Sequence, residues 1–413
     1  MNAEFHRSRR QQFYGTMRDN EALILFAGSA PRKTADASYR FFANRNFYYM
    51  TGILQKESVL LAVKRDGDVE ETLFVLPKDQ KAERWQGRRL AADDASELSG
   101  IEAVKDQAQF ELDLKAAINR GQIDTVWYDF DPFDVGRKDA PQNRHCETVR
   151  ADYPAIAFKN AYLSISRARA IKTPDEIDTI REAMCITRDG IHAMMKAAKP
   201  GMYEYQLEAV FNKVLADAGV REPAFENIVS SGRNNFCIHY DEPMDMLNDG
   251  DLILVDVGAR KNEYSNDISR AFPVNGTFGE EQKTVYSIAL KINKELMAML
   301  VPHEVTFADI EARCRKRVGE ELTRAGYLAE GEDVKKYHWH GGTHHVGLDV
   351  HDVGTQPVPI EPGMVFTIDV GIYIEERNIG FRVEDDVVVT ETGYEHLSAG
   401  IVREMDDIEA MMC

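Results

Sequence analysis

The chain has few cysteines, no long apolar run and no excess of positive charge, and each absence excludes a class of protein. Its five cysteines are odd in number and scattered, with no CxxC pair, which predicts reduced, buried or incidental thiols. No apolar run is long enough to span a bilayer, and residues 1–15 lack the apolar core of a signal peptide. We therefore predict a cytoplasmic protein with no membrane partner.

The charge balance is acidic. Lys and Arg number 50 against 69 Asp and Glu, a net charge of -19, which argues against a nucleic-acid partner or an anionic membrane surface. We attribute most of this surplus to solubility. At 413 residues with 44% hydrophobic residues, the chain is too long for one ordinary core and is predicted to form two domains.

The predicted domains are residues 1–168 and residues 169–413. The first alternates strand-like runs (ALILFAG, SVLLAVK, TLFVLP, TVWYDF) with polar helical segments, which is typical of a mixed α/β domain. The second begins at Thr173-Pro174-Asp175-Glu176, a capping signature followed by a predicted helix that stops at Lys199-Pro200-Gly201. Further helices are predicted near Tyr203, over 280–300 and over 308–325.

Two stretches of the second domain are nearly alike. GDLILVDVG (250–258) and GMVFTIDVG (363–371) each deliver an Asp, and each is followed by another acidic strand end. The four acids are Asp256, Asp267, Asp369 and Glu384. A duplicated sheet, covered by helices on one side, cannot hold four ionised carboxylates together without counter-charge. The duplication therefore predicts a divalent metal site.

Histidines cluster between the two hairpins. Five of the eleven lie at His338, His340, His344, His345 and His351, and His239 precedes Asp256. A lone Asp or His is more often structural, but imidazole beside clustered carboxylates suits metal-assisted hydrolysis. We read His338 and His345 as structural.

The second domain resembles the pita-bread metallopeptidases, which include methionine aminopeptidase, prolidase, creatinase and aminopeptidase P. The strings NDISRAFPVNG, HHVGLDVHDVG, EPGMVFTIDVG and FRVEDDVVVTETG look most like bacterial aminopeptidase P, and YRFFANRNFYYMTGI and AERWQGRRL extend the similarity into the first domain. This resemblance implies an α/β (α+β) fold: an N-terminal mixed α/β domain, then a pita-bread domain with duplicated helix-helix-strand-hairpin halves.

The resemblance also implies a ligand set for two ions. Asp256 binds one ion, Asp267 and Glu384 bridge the pair, and His344 with Asp369 holds the other. Asp369-Val370 stands where the family has Glu-Pro, so this carboxylate is one methylene shorter and we expect the second ion to be held more loosely or the backbone to shift. The oxygen-rich set favours Mn(II), with Co, Fe or Zn as substitutes. A hydroxide between the ions would be the nucleophile.

Other roles follow from the same resemblance and, for Arg382, from its position on the strand. His239, His340 and His351 match positions that contact substrate, and Asp369 matches a candidate proton shuttle. Arg382, on the strand face of Glu384, is expected to hold a carboxylate in place. Trp85 matches a residue that reaches a neighbouring subunit's active-site entrance, with a buried core aromatic as its alternative.

The implied function is release of an N-terminal residue that precedes proline, by a homodimer or homotetramer whose first domain supplies contacts and restricts the site entrance. One alternative is a prolidase, which is limited to Xaa-Pro dipeptides. A further alternative is a non-catalytic pita-bread protein that only binds peptides. Retention of all five ligating positions weighs against the latter.

Overall fold

A computed structural model describes residues 1–354 and 358–413. The chain forms two compact units, Met1–Arg169 and Ala170–Cys413. No helix in the described residues is both long and apolar enough to cross a membrane. The roles that the sequence predicts for the two domains stay predictions.

The first unit is built on one six-stranded mixed sheet with the order β4-β3-β2-β1-β5-β6. Its strands are β1 (Glu21–Phe26), β2 (Val59–Arg65), β3 (Asp68–Val75), β4 (Ala103–Asp106), β5 (Thr125–Tyr128) and β6 (Ala157–Asn160). Its helices are α1 (Ala3–Tyr14), α2 (Arg45–Thr51), α3 (Gln80–Gln86), α4 (Ala92–Ser99), α5 (Phe110–Asn119), α6 (Pro141–Asp152) and α7 (Tyr162–Ala170), the last ending at the boundary between the units. The four apolar runs form β1, β2, β3 and β5, whereas β4 and β6 are short and largely solvent-accessible and so carry no apolar signal.

The second unit contains two three-stranded antiparallel sheets, with the orders β11-β8-β7 and β12-β13-β14. Its strands are β7 (Ile228–Ser231), β8 (Leu252–Val257), β9 (Arg260–Lys261), β10 (Tyr264–Ser265), β11 (Ile268–Pro273), β12 (Val365–Ile374), β13 (Ile379–Thr390) and β14 (Gly393–His396). Its helices are α8 (Pro174–Ala197), α9 (Glu204–Asp217), α10 (Glu280–Ala298), α11 (Phe307–Arg324) and α12 (Met405–Met412). One apolar core joins the helices to both sheets.

The predicted start of α8 is confirmed. The Thr173 hydroxyl accepts a hydrogen bond from the Glu176 backbone N–H, and the Glu176 carboxylate accepts one from the Thr173 backbone N–H at 2.8 Å. These reciprocal bonds satisfy two backbone donors that a helix start leaves without partners. The four helices predicted for this unit are α8 to α11, each within a few residues of its predicted bounds.

The internal duplication is visible in the connections as well as in the sheets. The residue that caps the second helix of each half forms a β-bridge with the segment leading into the acidic hairpin: Tyr203 with Met246, and Thr306 with Pro359. Gly250 and Gly363 then turn into β8 and β12 at φ 85° and 89°, a conformation that favours glycine. The mixed α/β domain followed by a duplicated pita-bread domain is therefore confirmed.

Candidate metal centre

The two hairpins bring their acids to neighbouring strands. Asp256 lies on β8, and Asp267 directly precedes β11, which pairs with β8. Asp369 on β12 pairs directly with Glu384 on β13. Directly paired residues project to the same face of an antiparallel sheet, so the side chains of Asp369 and Glu384 share a face. Since side chains alternate along a strand, Arg382 lies on this face too.

Two groups of potential ligands form among the described residues. Oxygens of Asp256, Asp267 and Glu384 lie within 4.8 Å of one another, and so do single ligand atoms of Asp267, His344 and His351. Asp267 belongs to both groups. Asp369 joins neither, and its Oδ2 lies 3.5 Å from Nδ1 of His340. The clustering of His351 with Asp267 and His344 is not part of the ligand set that the sequence predicts.

The carboxylates of this cluster have unused bonding capacity. Asp256, Asp267 and Asp369 are all buried, and the Oδ1 atom of each residue is enclosed without a hydrogen-bond partner. A buried carboxylate oxygen with no partner carries a large desolvation cost that a bound cation removes. Clustered carboxylates with one imidazole are ligands that hard divalent cations accept. These residues therefore fit a divalent metal site.

The pKa values of the acids divide into two classes. Burial raises the pKa of Asp267 well above its usual value, and the neighbouring charge of Asp256 raises it further. Burial likewise raises the pKa values of Asp369 and Glu384. Repulsion from the neighbouring carboxylates raises both further. Burial acts upward on the Asp256 pKa as well, but the charge of Arg382 and hydrogen bonds with Asp267, Arg382 and Ser269 outweigh it and lower that pKa. Without a cation the cluster retains protons, and metal binding displaces them.

Arg382 connects the two sheets through hydrogen bonds. Its side chain is only 3% exposed, and one terminal N–H donates to Asp256 Oδ2 at 2.7 Å. Its Nε donates to the Ser269 hydroxyl at 3.1 Å, and that hydroxyl donates to Glu384 Oε2 at 2.8 Å. Arg382 thus orients Asp256 directly and Glu384 through Ser269.

Three histidines, His340, His344 and His351, line the same site. Nε2 of His344 lies 3.5 Å from Asp267 Oδ2 and 3.8 Å from Glu384 Oε1, and the rings of His344 and His351 are 4.4 Å apart. Burial and the charge of Arg382 lower the pKa of His340 to about 4. Burial, then the charge of His344, also lowers the pKa of His351. Both imidazoles are therefore neutral at neutral pH.

Four other predicted residues belong to neither group of potential ligands. His239 lies on an exposed loop outside any helix or strand. His338 and His345 are buried, and Nδ1 of His338 lies 2.8 Å from the Gly371 carbonyl oxygen. Trp85 lies on α3 of the first unit and is 85% exposed, so its alternative interpretation as a buried core aromatic is wrong.

Tyr373 and Ser269 are site residues that the sequence analysis missed. The Tyr373 hydroxyl lies 2.8 Å from Nε2 of His340 and accepts a hydrogen bond from Arg382 at 3.2 Å. Asp369, Gly371 and Tyr373 alternate along β12, so the period of two could have placed Tyr373 on the site face. A Cβ at Gly371 would lie 2.5 Å from Nε2 of His340, so only glycine leaves room for that ring.

Comparison with known proteins identifies the family of this chain. The model of the family described as "Metallopeptidase family M24" matches residues 178–391. The model described as "Aminopeptidase P, N-terminal domain" matches residues 6–127. The Xaa-Pro aminopeptidase of Escherichia coli (strain K12) is 32% identical over 440 residues, with 99% of this chain and 97% of the relative covered.

Two solved structures share the whole fold. A Bacillus anthracis chain assigned to aminopeptidase P has a TM-score of 0.97 and 38% identity, covering 100% of this chain and 98% of that chain. Escherichia coli aminopeptidase P with the inhibitor Pro-Leu has a TM-score of 0.90 and 31% identity, with the same coverage. The chain therefore belongs to metallopeptidase family M24, and its first unit carries the aminopeptidase P N-terminal domain that accompanies it.

Proposed function

We propose that this chain is a metal-dependent Xaa-Pro aminopeptidase, which releases the first residue of peptides that have proline at the second position. The observation that carries this proposal is the buried cluster of Asp256, Asp267 and Glu384 beside His344, on a chain that aligns end to end with Xaa-Pro aminopeptidases. The full-length likeness favours an aminopeptidase over a prolidase. Intact carboxylate and imidazole groups at the site disfavour a protein that only binds peptides.

The proposed cofactor is a pair of divalent ions, with Mn(II) preferred and Co, Fe or Zn as substitutes. Asp256, Asp267 and Glu384 would hold the pair together with His344, and Asp369 would complete the second position. When bound, the ions supply Lewis acidity that polarises the scissile carbonyl and lowers the pKa of water toward about 7. Oxygen ligands from carboxylates suit Mn(II), although availability decides among similar metals.

The chain's own residues position the substrate and move the proton. The leaving nitrogen of any peptide bond must gain a proton as the bond breaks, and when proline follows the scissile bond that nitrogen belongs to the ring and carries no hydrogen in the peptide. Asp369 Oδ2 and His340 Nδ1, 3.5 Å apart, can hold and pass this proton. His351 and His239 lie on loops and would contact the substrate, one near the scissile carbonyl, where an imidazole can donate a hydrogen bond, and one near the residue after the bond.

A peptide panel tests the proposal. The metal-loaded enzyme should release the first residue from Xaa-Pro-Yaa and leave Xaa-Ala-Yaa uncut, with products identified by mass spectrometry. Prolonged chelation should abolish turnover and Mn(II) should restore it. Cleavage confined to Xaa-Pro dipeptides would reassign the chain as a prolidase, and full turnover by protein shown to contain no metal would refute the mechanism.

Two further parts of the proposal concern the protein as a whole. A homodimer or homotetramer is expected, with the first domain supplying contacts and restricting the site entrance, and a cytoplasmic location is expected from the sequence. Light scattering that finds only monomer at micromolar concentration would contradict the first. Cell fractionation that finds the protein in a secreted or membrane fraction would contradict the second.

A further inference from the structure

The loop that carries His239 lacks regular secondary structure. Residues 237–245 form no helix or strand, and most are wholly or partly exposed. A segment of this kind holds one conformation only if specific contacts fix it, because backbone ladder bonds are missing. The contacts of this loop therefore decide where the His239 imidazole is held.

A buried carboxylate supplies most of these contacts. Glu204, the first residue of α9, is completely buried. Its Oε1 accepts hydrogen bonds from the Ser231 backbone N–H at 2.8 Å and from Asn234 Nδ2 at 3.0 Å. Its Oε2 accepts them from the Tyr240 hydroxyl at 2.9 Å and from the Asp245 backbone N–H at 3.0 Å. Tyr240 and Asp245 lie in the loop after His239, whereas Ser231 and Asn234 lie in the segment that leads into it, so one side chain fastens the loop to that segment and to α9.

The chemistry of this cluster requires a carboxylate. All four partners of Glu204 donate, and an ionised carboxyl group is the side chain that only accepts. The start of α9 also carries partial positive charge, which favours an anion there. Glutamine has nearly the same shape, but its amide NH₂ would face two donors whichever way the group is turned.

A second contact fastens the other side of His239. One N–H of Arg382 donates to the Ile238 carbonyl at 3.2 Å, and the same nitrogen donates to Asp256 at 2.7 Å. His239 therefore lies between Ile238, which is held by the metal-site arginine, and Tyr240, which is held by Glu204. The loop is fixed to the metal site on one side and to α9 on the other.

The second half of the duplicated domain holds its histidine loop in a similar way. Glu311 on α11 accepts hydrogen bonds from the backbone N–H groups of Gly342 and Thr343, both at 2.9 Å. These residues lie between His340 and His344. In each half, a glutamate from the second helix thus binds the loop that brings histidine to the site.

We propose that Glu204 is a positioning residue for the reaction, which acts by holding His239 in its productive orientation. The proposal rests on the proposed function, since His239 takes its role from there. A histidine that samples several orientations contributes to catalysis only in the fraction of molecules with the productive one. Loss of the Glu204 contacts should therefore lower turnover through His239 and leave the metal ligands in place.

The test compares Glu204→Gln with Glu208→Gln. Glu208 lies one turn further along α9, and its carboxylate contacts Asn212 and Asn227 and no residue of the His239 loop. We expect Glu204→Gln to lower kcat/KM for an Xaa-Pro-Yaa peptide by about tenfold or more, because hydrogen bonds to a charged group are lost. Glu208→Gln should leave it unchanged. Both variants should retain the metal content of the parent enzyme.

Hydrogen exchange provides a readout that does not depend on activity. Amide exchange in peptides covering Ser231 and Asp245 should be faster in Glu204→Gln than in the parent enzyme, with other segments unchanged. If Glu204→Gln does not fold, Tyr240→Phe removes a single bond to the same carboxylate and should show a smaller change in the same direction. Unchanged exchange in the variant that folds would overturn the proposal.

A double-mutant cycle separates positioning from general destabilisation. If Glu204 acts through His239, the variant with both His239→Ala and Glu204→Gln should lose no more kcat/KM than His239→Ala alone. Losses that multiply would overturn the positioning role. A parent enzyme that turns over no Xaa-Pro peptide with Mn(II) would refute the proposed function instead, and hydrogen exchange would still decide whether Glu204 holds the loop.

Discussion

Removal of divalent metal is expected to lower the melting temperature of the metal-binding unit, and to lower it more as pH rises. Asp267, Asp369 and Glu384 have pKa values that burial and mutual repulsion raise well above the ordinary carboxyl range. In the metal-free folded protein these acids hold protons that the unfolded chain has released. Their favourable contribution to the free energy of unfolding is complete below the pKa of about 4 that these groups have in the unfolded chain. It is lost as pH rises through the pKa values that they have in the folded protein.

The magnitude follows from two terms, one for the retained protons and one for the bound ion. Each extra proton that the folded state retains makes stability fall by about 1.4 kcal/mol per pH unit within this window. An ion present at 100 times its dissociation constant adds about 2.7 kcal/mol, and a domain of this size gains about 2–4 °C per kcal/mol. Chelation should therefore lower the melting temperature by about 5–10 °C for each such ion lost.

Thermal unfolding between about pH 5 and pH 8, with saturating Mn(II) or with chelator, measures both terms. The chelated protein should lose stability as pH rises, and the metal-loaded protein should not show that loss. Asp267→Asn is a useful comparison, because it removes one retained proton and one ligand together. It should melt higher than the parent in chelator and gain less from Mn(II). Equal melting curves with and without metal across this range would refute the reasoning.

Three other changes have defined outcomes. Asp369→Ala should lose one ion per chain and nearly all turnover, whereas Asp369→Glu should keep both ions. Metal counting that finds two tightly held ions in Asp369→Ala, with normal turnover, would show that Asp369 is not a metal ligand. Arg382→Lys should lower kcat/KM by about tenfold or more, because an ammonium group cannot reproduce the forked contacts to Asp256, Ser269 and Tyr373; an unchanged rate would contradict this. Trp85→Ala should leave the melting temperature nearly unchanged, because the side chain is 85% exposed, but should alter the preference between short and long peptides; unchanged selectivity would count against its entrance role.

The elements with strong local signals could be predicted from the sequence. Thr173 and Glu176 define a helix start by side-chain chemistry alone, and the repeated DVG motif predicts the two strands that contain it. The strands β4 and β6 could not be predicted, because their residues are held by pairing at the sheet edge and carry no apolar pattern of their own. The duplicated architecture was thus predictable from pattern, and the sheet edges were not.

The site was predictable to the extent that its residues lie in the repeated hairpins. Contacts made across the sheets were not predictable, because a strand pattern does not specify which strand of the other half lies alongside. Ser269 is an example: its hydroxyl links Arg382 and Glu384, yet nothing next to it in sequence indicates this role. Glu204 is another, since its partners lie 27 to 41 residues away along the chain.

The two equivalent aspartates of the duplication are not electrostatically equivalent. Arg382 comes from the second half of the domain, but its shortest hydrogen bond to an acid goes to Asp256 of the first. The charge of Arg382, with hydrogen bonds from its neighbours, lowers the pKa of Asp256, whereas burial outweighs the charge of Arg382 and raises the pKa of Asp369. A cation near Asp256 therefore meets a carboxylate that is already ionised, whereas a cation near Asp369 must first displace a proton. The position near Asp256 should fill first, and the second ion should bind more weakly at low pH than at neutral pH.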